Sequence, residues 1–488
     1  MIRLRQMLLS SGITRGGGTM AYNLHDIKVV GLEVSNILYC RIEGKLGEHS
    51  SMELCAFLEN QEDFLYEMPS YQPVELQADG EDGTIVLFSG VVTELNVEIS
   101  SEVSIVRIKG KSYSWLMDLT KKSRSFQDTQ MSCTAFLNSV MADYPGSSVF
   151  YAAQDMPIGK LIVQYEETDW QFLKRVFSMA GMTVTPYEYQ AGIKIYVGIP
   201  VLSQNRIPYQ IKEINKDMES YYCLKANDRM VHASDFTRYQ VLSQRLLRLF
   251  DTIEVNSLPF TVYSYVYDFS NQEMTGIYGL QMAQGLLVPT VYPMHLIGVA
   301  LTGTVVNVSG TAVQVALEID KVSGNPAAFW FPYSTISASP NGSGWYCMPE
   351  PGDDVRIYFP SKNEQEAIAL SSASNYPAPQ SGGTDRMQDP NIRYLRTKAG
   401  QELALTPELM VLSCDGGVSA VSILSDGKIT VSAQKKVLVD ATGPVTLHAE
   451  KNLTVKAQGL ISLQSLKGGS VALGGSEIQF SGTEVKFD

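Results

Sequence analysis

Histidine is scarce in this chain and cysteine is sparse. His25, His49, His232, His295 and His448 are dispersed over 488 residues, and Cys40, Cys55, Cys133, Cys223, Cys347 and Cys414 include no CxxC pair. Without clustered ligands there is no reading of a zinc site or a disulfide framework, and the thiols are expected to be reduced. No metal and no cofactor is expected. A phosphate-cradling GxxxxGK[ST] is missing, and the histidine positions give no Ser-His-Asp arrangement by spacing. Long apolar runs are missing too: none approaches the roughly 18 residues of a membrane helix. Positive charge is in deficit, with 38 Lys and Arg against 51 Asp and Glu, a formal charge of -13. That is the wrong sign for a nucleic-acid partner or for resting on anionic lipid.

What remains is a folded chain, 44% hydrophobic and 18% charged, long enough for three or four domains. Residues 1–21 are read as an extension, outside the first folded unit, with Met20 as an alternative start. Strand patterns follow at Leu38–Ile42, Met52–Leu58, Val74–Gln77, Ile85–Val92 and Val103–Ile108, separated by glycine and Asp-Gly turns, as in a curved or closed antiparallel sheet. Ser132 is a cap for a helix bearing Phe136, Leu137, Val140, Met141 and Tyr144, stopped by Pro145-Gly146. Thr168 with Gln171 predicts a capping box before the stripe Trp170, Leu173, Val176, Phe177 and Ala180, with Gly181 as terminal cap. A further helix is expected over Ser234–Phe250, and strands at Ile193–Val197 and within Thr252–Phe269. From 296 to 374, strands at Gly298–Val308, Ala312–Ile319, Ala328–Tyr333, Gly344–Met348 and Asp354–Phe359, with a closing one at Ala367–Ser371, read as a small barrel of the OB type. Its aromatics Phe329, Trp330, Phe331, Tyr333, Trp345 and Tyr346 lack the cations that a nucleic-acid groove needs. The Ser, Gly, Asn and Pro stretch from Ser374 to Asp389 is a tether.

The strongest pattern lies at the carboxyl end. Ile429-x-Val431, Val437-x-Val439, Val445-x-Leu447, Leu453-x-Val455 and Ile461-x-Leu463 recur every eight residues, and looser copies follow at Val471-x-Leu473, Ile478-x-Phe480 and Val485-x-Phe487. Residues two apart in a strand share a face, so each triplet sends two apolar side chains inward before the next corner. Repetition at a fixed short period means a β-helix. One chain winding alone over 427–488 would make a thin core with open ends, whereas three interwound chains bury the same faces, so a homotrimeric needle is expected.

With these residues in view, the chain resembles the VgrG family, spikes of type VI secretion systems, phage tails and extracellular injection particles. Trp115-Leu116 with Phe126-Gln127 is similar to a family stretch before its first helix. Gln164-Tyr165-Glu166-Glu167-Thr168-Asp169-Trp170-Gln171-Phe172-Leu173-Lys174-Arg175 resembles its QYxESDxxFLxR signature. Pro349 to Val355, with Gly352 and Asp353, is similar to its PxxGDEV turn, and Thr397 to Glu402 to its entry into the needle. The resemblance implies a mainly β fold with a few helices: a hub of paired β-barrels over 22–290, an OB-fold barrel over 291–374, a linker and needle entry over 375–426, and a triple-stranded β-helix over 427–488. The partners it implies are the chain itself, the inner tube protein, baseplate proteins, and a PAAR-type tip with effector cargo. The target membrane would be met by puncture only, and nucleic acid not at all. Synthesis in the cytoplasm and placement at the baseplate and tip of the particle are implied likewise. No His-x-His pair lies near the end, so the tip iron site of some phage spikes is not carried over. No enzyme is expected: Asp440, Glu450, Glu477 and Glu484 share no spacing that would place two carboxylates across a cleft. The alternative is a trimeric tail fibre or tailspike that binds or degrades surface glycan.

Overall fold

The computed structural model describes residues 22–58, 71–80, 83–99, 104–202, 204–341, 343–344, 346–371, 388–474 and 476–484. The expectations for the amino-terminal extension, most of the tether, Trp345 and the last triplet fall outside them. The chain divides into two units, 1–375 and 376–488.

In the first unit, ten strands follow one antiparallel path: Ile27–Val30, Pro73–Gly80, Gly83–Ile99, Ser104–Ser112, Ser51–Leu58, Val34–Lys45, Leu258–Asn271, Glu273–Gln281, Thr237–Ser243 and Gln210–Lys216. Strict alternation builds each half. Met52, Leu54, Ala56 and Leu58 are buried from one strand, and Tyr265, Tyr267 and Phe269 from another. The halves join where Ser264–Asp268 pairs with Arg41–Lys45. Gly44 is needed at that seam, because a Cβ there would collide with the ring of Tyr265. Buried tyrosines need partners for their hydroxyls. Tyr267 and Tyr278 donate to the carbonyls of Leu247 and Arg245 at 2.7 Å, and Tyr265 donates to Glu188.

Residues 113–200 form a helical insert between the two halves. Helix α1 (Cys133–Met141) is capped by Ser132, whose Oγ accepts from the Ala135 amide at 3.1 Å. Helix α2 (Asp169–Ser178) begins at Thr168, which accepts from the Gln171 amide at 3.2 Å, and its chain turns at Gly181 with φ +73°. Trp170, Leu173, Val176 and Phe177 of the expected stripe are buried, as are Asp169, Phe172, Arg175 and Ser178, but the helix ends at Ser178 and Ala180 beyond it is exposed. A helix covered on nearly every side is a central strut, not a surface helix.

The helix expected over Ser234–Phe250 does not form. A short 3-10 turn at Ala233–Phe236 leads into the strand Thr237–Ser243, held between Gln210–Lys216 and Glu273–Gln281. Val241 and Ser243 are buried while Gln240 is exposed, a period of two that sheet pairing imposes on an ambiguous local pattern. The helix in this region is instead α3 (Met218–Ala226), capped by Asp217. Only Leu224 of α3 is buried, so it carries no apolar period to read.

The small barrel has the strands Trp330–Pro332, Ala312–Leu317, Ala300–Ser309, Asp354–Tyr358 and Ile368–Ser371 in that order. A parallel bridge from Tyr333 to Ala369, with the Ser334 amide donating to the Ala369 carbonyl at 2.8 Å, closes it. The strand expected at Gly344–Met348 is reduced to an isolated bridge between Gly344 and Ala338. Of its described residues, Gly344, Tyr346 and Cys347 are exposed.

In the second unit, Arg393–Arg396, Glu402–Leu405, Leu409–Cys414, Ser419–Leu424 and Ile429–Ala433 form a five-stranded antiparallel meander, and Ile461–Gln464, Ser470–Gly474 and Glu477–Ser481 a three-stranded one.

Candidate functional site

Register decides which side chains of the meander share a face. Leu395 pairs with Leu403, Leu403 with Leu412, Leu412 with Val421 and Val421 with Val431, giving one apolar row across five strands. Two residues along the strands, Leu405, Met410, Ile423 and Ile429 make a second row on the same face. The three-stranded sheet repeats the arrangement, with Ile461, Leu473 and Ile478 in one row and Leu463, Val471 and Phe480 in the next. Much of these faces is open in a single copy: Leu412, Val431, Ile429 and Ile478 are more than half exposed. Among the described residues of this unit, Ala404 is the one buried apolar side chain.

Between the two sheets, residues 435–460 form neither helix nor strand. Val437, Val439, Val445, Leu447, Leu453 and Val455 stand 54–75% exposed there. Among the described residues, the backbone of this stretch makes no hydrogen bond to other backbone. Native backbones rarely leave so many N–H and C=O groups to water alone. Of the five evenly spaced triplets, the first and last therefore sit in strands of this chain, and the middle three have their strand partners elsewhere or not at all.

The eight-residue frame has more order than its triplets. Ala433, Ala441, Ala449 and Ala457 recur at one position, and Gly427, Lys435, Gly443, Lys451, Gly459 and Lys467 alternate at another. The rows before 427 escaped the sequence reading, although Leu403-x-Leu405, Met410-x-Leu412 and Val421-x-Ile423 are the same kind of triplet. Their uneven spacing hid them.

The signature residues have other surroundings. Phe126, Phe172, Leu173 and Trp170 are packed in the core of the helical insert, with Phe126 4.7 Å from Phe136 between ring centres. Tyr165 and Trp115 are half-buried, Tyr165 against the small barrel and Trp115 beneath Lys111. Asp169 is wholly buried and accepts from Arg124 and Lys122 at 2.6 Å, Tyr144 at 2.7 Å and Gln164 at 2.9 Å. Gln127 reaches the small barrel. Gly352, at φ +97°, and Asp353 make a tight turn in which Asp353 accepts from the Glu350 amide at 2.8 Å.

One cluster of polar side chains brings together residues that are distant in the sequence. His49 Nδ1 lies 2.7 Å from Ser114 Oγ, and its Nε2 lies 3.6 Å from Asp118. Ser114 is 1% exposed, Trp170 covers the imidazole at 4.3 Å, and burial pushes the imidazole down to about 4. Ser114 thus lies in the core, hydrogen-bonded to His49, while Asp118 stands beyond hydrogen-bond distance of the ring. Asp440, Glu450, Glu477 and Glu484 are exposed and solvated. Among the described residues, no group of His, Cys, Asp or Glu is arranged to hold a metal.

With the geometry in place, comparison with known proteins decides the class. Residues 45–197 match the phage tail baseplate hub (GPD) family model, and residues 301–373 match the type VI secretion system/phage-baseplate injector OB domain. Two stretches of the chain are thus similar to baseplate parts of phage tails and type VI secretion systems, a tail hub and an injector OB domain. No curated protein sequence matches the chain. Its fold is similar to the Escherichia coli c3393 protein, a component of the type VI secretion system with structural similarity to T4 bacteriophage tail proteins gp27 and gp5. The match has 12% identity and a TM-score of 0.52, over 71% of this chain and 99% of that one. It is also similar to a chain of the Francisella PdpA–VgrG complex in its half-lidded form, with 10% identity and a TM-score of 0.51, over 88% of this chain and 90% of that one.

Proposed function

We propose that this chain acts as a homotrimeric spike at the baseplate and tip of a contractile injection system. In this reading it caps the inner tube, meets baseplate proteins, punctures the target envelope and carries a PAAR-type tip or effector cargo. It works as a mechanical part and not as an enzyme.

The observation that carries the reading is the second unit, which has apolar rows but no core of its own. A single copy leaves Leu412, Val431, Val445, Leu447 and Leu453 more than half exposed, together with an unpaired backbone over 435–460. Contiguous exposed apolar surface of this extent marks an interface, and an interwound copy supplies both the missing apolar neighbours and the missing strand ladders. A three-sided prism gives each chain one face per turn, which suits a triplet followed by a corner at a fixed period. Stiffness follows, because interwound chains separate only by breaking many hydrogen bonds together. The placement at an injection particle is supported by the hub and injector family matches. Among the described residues no helix is long and apolar enough to cross a membrane, which fits entry by puncture.

Mass photometry of the purified chain tests this directly. A mass near three times 53.7 kDa is expected. A 53.7 kDa particle whose 390–484 region is quickly removed by protease would end the proposal. Trimers that bind cell-surface glycan and no tube protein would favour the tail-fibre reading.

A further inference from the structure

The signature segment lies far in sequence from the small barrel, yet the two share buried polar contacts. The strand Lys121–Phe126 pairs with Ile162–Thr168 in a two-stranded ribbon. One side of that ribbon sends Phe126 and Ile162 into the insert core, while Leu161 and Val163 enter the core of the small barrel. Around this shared spine, side chains of the barrel take hold of ribbon backbone. Asp320 accepts from the Ser125 amide at 2.6 Å and from its hydroxyl at 2.5 Å, and Asn325 donates to the Ser125 carbonyl at 2.7 Å. Glu364 accepts from the Val163 amide at 2.9 Å, and Gln365 donates to the Leu161 carbonyl at 3.0 Å. Gln127 reaches the other way, donating to the Val315 carbonyl at 3.1 Å and accepting from the Ala328 and Phe329 amides.

Arg175 of α2 ties the ends together. It forms a two-pronged pair with Glu167, donates to the Val163 carbonyl at 2.7 Å and reaches Glu364 at 3.3 Å. Asp320, Glu364 and Arg175 are each 5% exposed or less. Burial raises the Asp320 carboxyl above its ordinary range, opposed by the Ser125 bonds. Ion pairs this deeply buried contribute little net stability, because desolvation offsets their attraction. What they do supply is direction: each bond is satisfied in one orientation only.

We propose that Asp320 and Glu364 of the small barrel, closing on Ser125, Val163 and Arg175, form a polar lock that fixes the barrel's orientation on the hub and makes the two a single cooperative body. The apolar contacts of Leu161 and Val163 alone would tolerate sliding; the lock does not. These five are positioning residues, and the lock lies within one chain, so it holds whether or not three copies assemble.

The test uses the full-length chain with Glu364→Leu, Asp320→Leu and the conservative Glu364→Gln. Scanning calorimetry and thermolysin cleavage in the connecting segment 282–299 are the readouts. The wild type and Glu364→Gln are expected to melt hub and small barrel in one transition. Each leucine variant is expected to show a separate, earlier transition for the small barrel with the hub midpoint unchanged. Its cleavage should also be about tenfold faster, since local opening no longer waits on unfolding of the whole. Leucine variants that keep a single transition, shifted or unshifted, with unchanged cleavage would overturn the lock, as would a Glu364→Gln variant that separates like Glu364→Leu.

Discussion

At the scale of single residues, His49 shows what burial does to a group that looks reactive. Its ring is enclosed by Trp170 and Ser114, faces Asp118, Lys111 and Lys174, and is held neutral because burial lowers its folded-state value to about 4 from an ordinary 6.5. Between those two values the unfolded chain binds a proton that the folded chain refuses. Stability therefore falls as pH drops from about 6.5 towards 4, by roughly 3 kcal/mol when the window is fully crossed. Urea midpoints measured across that range should fall in the wild type and be flatter in His49→Gln; equal slopes would remove His49 as the cause. Thr168 and Gly181 were legible as cap and terminus because capping depends on neighbouring residues alone. Asp169 was legible as part of a motif but not in its role. Its partners Lys122, Arg124 and Tyr144 come from distant positions, and no local rule links them.

At the scale of elements, the period-two and eight-residue patterns were readable wherever a face is apolar and its mate polar. The strands of 34–112, helices α1 and α2 and the five barrel strands all followed from such patterns. Other elements did not, and two of them show why. Thr237–Ser243 read as helix because its neighbours on both sides come from elsewhere in the chain, and α3 went unread because it buries a single side chain. The needle elements give a direct test. Val445→Asp or Leu453→Asp places a charge where the proposed prism is dry, and Leu412→Asp does the same in the meander row. An uncompensated buried charge costs about 3–5 kcal/mol per copy. All three variants should lose the heat-resistant trimer by mass photometry, with the hub still folded by calorimetry. Survival of the Val445 and Leu453 variants as heat-resistant trimers would show that these side chains face water.

At the scale of the whole molecule, hydrogen exchange distinguishes a free tail from an interwound one. In a single chain the amides of 435–460 have no backbone partner among the described residues and should exchange at nearly intrinsic rates; in the proposed trimer they should be protected by orders of magnitude. Fast exchange in a particle of trimeric mass would place the contacts between chains elsewhere. The sequence by itself determined the mainly β class, the small barrel and the repeating apolar faces of the carboxyl end. These are set by local alternation, by turn residues and by a period, all of which are written along the chain. Tertiary structure alone decided that two distant halves share one sheet, that α2 is a buried strut, and that Asp320 and Glu364 grip a ribbon nearly two hundred residues away. Those outcomes depend on which surfaces meet in space, and burial and hydrogen-bond satisfaction are settled only when they do.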